Sequence, residues 1–354
     1  MSNKYFYKDK DIFGLDIGFK SIKVMQVKAD GKHHKLVGYG YNPFKSEAVK
    51  DSVIVDFEIL ASAIKELFAK KIVGEITTRR VAMSIPTSST YTRTFNLPSL
   101  SDDEIEQAIN LEAEQYIPLP RDELYIDYDI ISRNKENIEV SAVGVPKKVI
   151  DSYLDLCKIL DLEPVMFDSS INAASRLFEQ QQATKDIPAV LMDFGFISAD
   201  ISIHDRTNVV SSTLPAGGDT FTEAIAAKLG VNHEEAHIIK TKYGLGKSKK
   251  QKQIIEALQP ELDKIVREVR RMVRYYEDRS ETKSKIGQVV SIGGGANMPG
   301  LSDYLTNMLR IPVRAYDPWQ EIESDKRKSP SNNEKSLYVT AAGLAFINPK
   351  RIFA

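Results

Sequence analysis

The sequence holds a single cysteine, Cys157, in 354 residues, so it can form no internal disulfide and no cysteine-built zinc site. That usage suits a reducing compartment. Charge of one sign is also lacking, because 48 Lys+Arg stand against 49 Asp+Glu and the net charge is −1. Without a large positive field there is nothing to recruit a phosphodiester backbone, which argues against a nucleic-acid partner. Apolar runs are short, and none approaches the ~18 residues that would cross a bilayer. Met1–Lys10 carries aromatics and charges but no apolar stretch of the kind a secretory leader needs. The expectation is a soluble, cytoplasmic protein with no direct membrane insertion, and its length suits two or more domains at about 150 residues each.

What is present reads as mixed α/β. Short apolar strands are expected at 12–16, 21–27 and, after a turn at Gly31, 36–41. Phe57, Leu60, Ala61, Ile64, Leu67 and Phe68 share one helical face over 57–70, and 81–85 reads as a buried strand ended by Pro86. The texture then changes. A hydroxyl-rich run, 87–94, precedes the capping-box pair Ser101 and Glu104 and a helix that must stop before Pro118. Two strands, 124–132 and 138–146, and a helix near 147–160 follow, so 87–161 is expected to be an inserted module. A strand at 165–167 and a helix at 170–180 resume the first domain. The polar segment 180–186 before Pro188 reads as an interdomain linker. The basic residues along the helix 254–276 alternate with Glu261, Glu268 and Glu277, which favours a solvated face over a nucleic-acid surface. Lys247–Lys252 and Lys326–Lys335 read as polar surface loops. The five histidines offer little: His33 and His34 fall in a turn, and His233 and His237 lie on a helix beside Glu234 and Glu235.

The informative feature is a repeat. Asp16-Ile-Gly18-Phe19-Lys20-Ser21-Ile-Lys23 and Asp193-Phe-Gly195-Phe196-Ile197-Ser198-Ala-Asp200 share Asp, Gly, Phe and Ser at the same offsets, and each follows a short apolar strand. The copies lie half a chain apart, as expected of two related domains that each present one hairpin. These residue types suit a phosphate clamp. Glycine lets a phosphate approach bare backbone, and successive N–H groups of a turn form an anion-binding concavity. A carboxylate at the strand end can hold Mg²⁺ through its waters while the metal contacts phosphate oxygens. A third piece, Val289 to Ile292 running into Gly293-Gly294-Gly295 and then a helix over 301–309, lets backbone pass close to a flat ring or sugar. Gly217 and Gly218 form a further glycine turn that opens a helix.

Together these motifs resemble the actin-like ATPase superfamily. Gly217-Gly218-Asp219-Thr220 and Lys240-x-x-Tyr243-Gly244 resemble its FtsA-like branch. Within that branch the chain is similar to the PilM family of type IV pilus assembly proteins. Three segments carry this: Gly18 to Lys23, the helix ending Glu112-Ala-Glu-Gln-Tyr-Ile-Pro118, and Tyr338 to Ala345. The resemblance runs nearly end to end. It implies two ribonuclease H-like duplicated domains with an FtsA/PilM-type insert. The first domain would be 1–86 with 162–187, the insert 87–161, the second domain 188–221 with 286–354, and a subdomain 222–285 would lie over the nucleotide.

The resemblance further implies ATP and Mg²⁺ in the central cleft. Asp16 and Asp193 would orient the metal, and Gly18, Lys20, Ser21 and Lys23 would meet the β- and γ-phosphates. Gly195, Phe196 and Ser198 would clamp from the other side, while Gly217, Gly218, Lys240 and Gly293–Gly295 would hold the nucleoside. The implied partner is the N-terminal cytoplasmic tail of a PilN-type inner-membrane protein, bound near parts of 87–95 and 104–117, which would recruit the chain to the inner face of the membrane. Other pilus platform proteins, motor ATPases and further copies of this chain are implied as additional partners.

Hydrolysis also needs a group that orients the attacking water. Chaperone-type relatives place a carboxylate before a small-residue helix. Here that helix begins Asp168-Ser-Ser-Ile-Asn-Ala-Ala, so Asp168 is the available candidate and slow or absent turnover is expected. The alternative is an FtsA-like membrane-associated filament protein of cell division. Such proteins use a C-terminal amphipathic helix, for which Pro349 leaves little chain. A sugar or acetate kinase would need a substrate-binding carboxylate constellation, and none is apparent.

Overall fold

A computed structural model of the chain describes residues 10–30, 33–181, 187–205, 207–279, 284–320, 322–324, 329–332, 334–347 and 352. The expected leader-free start, the Gly31 turn, most of the 180–186 linker, part of the 326–335 loop and Pro349 lie outside them.

The first half opens with β1 (Phe13–Ile17), β2 (Ser21–Asp30) and β3 (His33–Pro43), then a small hairpin of β4 (Val49–Lys50) and β5 (Val53–Ile54). Helix α1 (Phe57–Lys70) starts where the Asp56 carboxylate accepts the Ile59 N–H at 3.0 Å, and it buries Leu60, Ile64 and Leu67. Then come β6 (Ile72–Gly74), β7 (Arg80–Ile85) and β8 (Tyr91–Pro98). Helix α2 (Asp102–Tyr116) is opened by the expected Ser101/Glu104 capping box. The strands β9 (Leu124–Arg133) and β10 (Asn137–Pro146), helix α3 (Lys147–Leu160), β11 (Glu163–Ser169) and α4 (Ser170–Gln181) complete this half.

The second half has β12 (Ala189–Phe194), β13 (Ala199–Asp205), β14 (Thr207–Leu214), α5 (Gly218–Leu229), α6 (His233–Lys242) and the long α7 (Gln251–Arg279). It continues through β15 (Gln288–Ile292), α8 (Leu301–Leu309), β16 (Val313–Ala315), β17 (Ile322–Glu323) and α9 (Val339–Ala345). Among the described residues no helix is long and apolar enough to cross a membrane.

The duplication legible in the hairpins extends to the sheets. The first sheet runs β11-β7-β1-β2-β3-β17, with β6 also on β3; the second runs β14-β13-β12-β15-β16. In each sheet an antiparallel meander (β1-β2-β3, β12-β13-β14) is extended by parallel strands on its first member (β7 and β11, β15 and β16). The register repeats as well, with Asp16 opposite Lys23 and Asp193 opposite Asp200.

Two expected boundaries move. Helix α3, placed in the insert by sequence, buries Val149, Tyr153, Leu156 and Cys157 in the first domain's core with Phe13, Leu15 and Leu60. The insert therefore ends at Pro146. It is the sheet β8-β10-β9 covered by α2, packed around Ile105, Ile109, Ile138 and Val140. The segment after β16, expected within the second domain, crosses back: β17 pairs in parallel with β3. The Tyr39, Trp319 and Tyr338 rings meet edge-on there, with centroids 5.2–5.5 Å apart. Helix α9 lies between the domains, packing Ala341 and Ala342 among Met25 and Leu177 of the first half and Leu191 and Val290 of the second. These apolar surfaces find each other only in the folded chain, and their burial is what places the segment.

Candidate functional site

The two hairpins face one cleft of about 1340 Å³ between the domains. Asp16, Gly18, Lys20, Ser21, Lys23, Asp193, Gly195, Phe196, Ser198, Gly218, Lys240 and Gly293–Gly295 all line it. Of the residues expected to hold the nucleotide and its metal, only Gly217 is not on its wall. Gly217 instead sits against the Phe196 carbonyl, where a Cβ would collide, and serves as the N-cap of α5.

Each hairpin is closed by one backbone bond, Gly18 N–H to the Ser21 carbonyl at 3.0 Å and Gly195 N–H to the Ser198 carbonyl at 2.9 Å. The second is held further by α5. The first N–H groups of that helix, on Gly218 and Asp219, donate to the Gly195 and Phe196 carbonyls at 3.0 and 2.8 Å. The orphan donors of the helix start thus fix the hairpin rather than face water. The triglycine loop closes the opposite side. Gly293 has φ +78°, and any Cβ there would fall on the Asp193 carboxylate, so only glycine can pass this point. Ser336 ties the loop down, its hydroxyl donating to the Gly293 carbonyl at 2.9 Å and accepting from Asn297 at 2.5 Å.

The charges are arranged unevenly. Asp16 accepts from Lys23 Nζ at 3.0 Å and from the Ser84 hydroxyl at 2.7 Å, all three groups buried. Among the described residues Asp193 has no such relief. Burial first, then the nearby Asp200 and Asp16 carboxylates, push it up to about 7 against a smaller opposing pull from Lys23. Burial also raises Asp200, which accepts the Thr213 hydroxyl at 2.5 Å. Beside the second hairpin, Lys240 donates to the Thr222 hydroxyl at 2.8 Å and to the Gly218 carbonyl. Burial, with Lys20 adding repulsion and Asp219 opposing it, lowers Lys240 to about 8. His237 is lowered by burial and then by Lys240, His233 and Lys20.

Crowded carboxylates and crowded cations lining one cleft are what a phosphate–metal ligand would neutralise. Among the described residues no three His, Cys, Asp or Glu groups form a direct metal cage. The raised, under-compensated Asp193 beside Asp16 and Asp200 nonetheless fits a divalent cation held through its waters and a ligand's oxygens.

Asp168, the candidate water-positioning carboxylate, is committed elsewhere: it pairs with Arg176 at 2.5 Å and is not on the cleft wall. Sequence reasoning missed Ser84, Asp200 and the cleft-facing histidines. Asp200 was recoverable, since it stands seven residues after Asp193 as Lys23 stands after Asp16. His233, exposed on α6, bonds Asp219 at 2.9 Å and lines the cleft with His237.

Two like sheets facing each other across a cleft, each sending an Asp-x-Gly hairpin into it, make this an actin-like ATPase fold. The family model described as type IV pilus assembly protein PilM matches residues 14–348. The chain therefore belongs to the PilM family. Its fold is similar to that of a solved PilM-PilN type IV pilus biogenesis complex, with a TM-score of 0.84 and 22% identity over 98% of this chain and 99% of that one. It is also similar, at a TM-score of 0.56 and 17% identity, to the ethanolamine utilization protein EutJ of Carboxydothermus hydrogenoformans, covering 94% of this chain and 88% of that one. MreB5 of Spiroplasma citri bound to AMPPNP follows at 0.53 and 13%, covering 95% of each. Among curated relatives, the cell division protein FtsA of Streptococcus pneumoniae is 22% identical over 350 residues, 87% of this chain and 75% of that protein.

Proposed function

We propose that this protein is a nucleotide-binding scaffold of the type IV pilus assembly platform. It would hold ATP and Mg²⁺ in the interdomain cleft and the cytoplasmic N-terminal tail of a PilN-type membrane protein on its insert. The observation that carries the nucleotide half is the convergence of both repeat hairpins, with Asp16 and Asp193, together with Lys20 and Lys240 in a single cleft. Family membership and the similarity to a PilM-PilN complex support the partner half.

In this reading Asp16 and Asp193 orient the metal's water shell, and Gly18, Ser21, Lys20 and Lys23 hold phosphate oxygens from the first domain. Gly195 and Ser198 hold them from the second, while Lys240 and the Gly293–Gly295 loop hold the nucleoside. Bound, the nucleotide supplies a compact negative charge that both domains bind at once. Because Asp168 is taken by Arg176, slow or absent turnover remains the expectation, and the ligand acts by setting closure. A nucleotide can bias partner binding only by preferring one of two closures, and the coupling is reciprocal. Titrating a PilN-type N-terminal peptide into the protein tests this. ATP-Mg should tighten the peptide by about 5- to 150-fold, the usual span of such coupling. Equal affinities with and without nucleotide would remove the switch.

The site also dictates a pH profile. Asp193 must be ionised to serve the metal, and its proton leaves near 7. Lys240, beside the nucleoside, must be protonated for its charge to add to the attraction of the nucleotide's phosphates, and its proton leaves near 8. Affinity for the Mg-nucleotide should therefore peak between about 7 and 8, falling on the acid side with Asp193 and on the alkaline side with Lys240. Calorimetry in buffers of different ionisation heat should show proton release below the peak and proton uptake above it.

A further inference from the structure

The repeat carries one pair of residues that neither the fold nor the charge arrangement explains. Phe19 and Phe196 occupy the same offset, three residues after Asp16 and Asp193. Their rings stack across the cleft, with centroids 5.7 Å apart and planes 10° from parallel. Both are half-buried and neither belongs to a hydrophobic core, so the pair adds nothing to either domain taken alone. Lys20, exposed at the first hairpin, seats its ammonium 3.8 Å from the centre of the Phe196 ring. The two lysines of that hairpin thus differ. Lys23 pairs with Asp16, whereas among the described residues no carboxylate pairs with Lys20, whose charge rests on the second domain's aromatic face. The position equivalent to Lys20 in the second hairpin is Ile197, so the cation comes from one side only.

We propose that Phe19 and Phe196, with Lys20 laid over the second ring, form an interdomain clasp that holds the two hairpins together before any ligand binds and sets how fast a ligand enters and leaves. The clasp rests on the nucleotide reading for its ligand but not for its existence. Stacked rings from the two hairpins resist separation of the domains. Each hairpin is anchored behind its ring, the first by the Phe44 N–H donating to the Lys20 carbonyl at 3.0 Å, the second by the start of α5. Opening therefore separates the rings rather than bending the hairpins. An anion that draws Lys20 off the ring weakens the clasp from within, which links occupancy of the cleft to domain movement. The same cation is repelled by Lys240 and His237, so it gains by meeting an anion.

The test uses the full chain with Phe19→Leu, Phe196→Leu, both together, and Lys20→Met. Two readouts are taken: amide hydrogen exchange of the hairpins 18–23 and 195–200 without nucleotide, and the dissociation rate of a fluorescent ATP analogue with Mg²⁺. Each Phe→Leu change should speed hairpin exchange and dissociation by about two- to twelvefold, the worth of one aromatic pair. The double variant should be no faster than the faster single one, because the clasp is broken once. Lys20→Met should speed nucleotide-free exchange by about two- to fivefold in the native background and not at all with Phe196→Leu. Phe19→Tyr should keep the native exchange rate, since it keeps the ring. Unchanged hairpin exchange in both Leu variants, or effects that multiply in the double variant, would overturn the clasp. Should the native protein bind no nucleotide, the ligand reading fails while hairpin exchange still decides the clasp.

Discussion

Replacing Asp193 by asparagine should lower Mg-dependent nucleotide affinity by about 10- to 100-fold and at the same time make the nucleotide-free protein more stable. The two effects have one cause. Asp193 is held at about 7 by burial, with Asp200 and Asp16 adding repulsion, so at neutral pH and above its ionised form is disfavoured in the folded chain. A group whose folded value lies above its unfolded one gives stability that is present at low pH and lost as pH rises through the folded value. Removing the charge recovers that loss, roughly 2 kcal/mol once the new amide's imperfect partners are set against it. A metal ion would recover it in the native protein, which is why the same substitution costs binding. Urea unfolding of both forms at pH 5 and pH 8 checks the first half. The native protein should lose stability between these values, and the Asp193→Asn form should lose less. Calorimetric titration of ATP with and without Mg²⁺ checks the second. An Asp193→Asn protein that is less stable at pH 8 would show that the carboxylate is compensated in a way the geometry does not contain.

The second large effect lies away from the cleft. Gly343 on α9 crosses α4 so closely that a Cβ would fall on the Ala173 carbonyl, and from the other side a Cβ at Gly14 of β1 would fall on the Ala341 carbonyl. Both obstacles are backbone of packed elements, which cannot give way as a flexible side chain can. Gly343→Val should therefore destabilise the protein by about 3 kcal/mol or more through overpacking, or push α9 off α4. Because α9 packs against both domains, surviving protein should also bind nucleotide more weakly. Gly230→Ala is the control. Its φ of +64° is unfavourable for alanine but nothing lies within 4 Å of the added atom, so its cost should stay near 1 kcal/mol. Thermal melts of the three proteins separate the cases, and equal melting points for Gly343→Val and Gly230→Ala would refute the close-crossing argument.

Much of the site was legible because it is written in short segments. The hairpins need their Asp, Gly and Ser within six residues, and the triglycine sits between a strand and a helix that announce themselves by periodicity. Helix α1 begins and ends where its apolar face places it, and α2 opens at its capping box. What escaped is what depends on distant partners. Ser84 is an ordinary serine in a buried strand until the parallel pairing of β7 with β1 brings its hydroxyl to Asp16. Asp168 read as a candidate for chemistry until Arg176, eight residues on, took it. Helix α3 read as part of the insert because it follows β10 without a break, yet its apolar stripe matches the first domain's core.

The order of residues by itself determined that two like units exist and which loops each offers, because glycine, aspartate and apolar periodicity act over a few neighbours through backbone sterics and local hydrogen bonding. Only the tertiary structure decided that Phe19 meets Phe196, that Asp193 is left crowded while Asp16 is paired, and that the chain's last described helix sits between the domains. Those outcomes depend on which buried surfaces and charges come together from distant parts of the chain, which is set by packing the whole molecule at once.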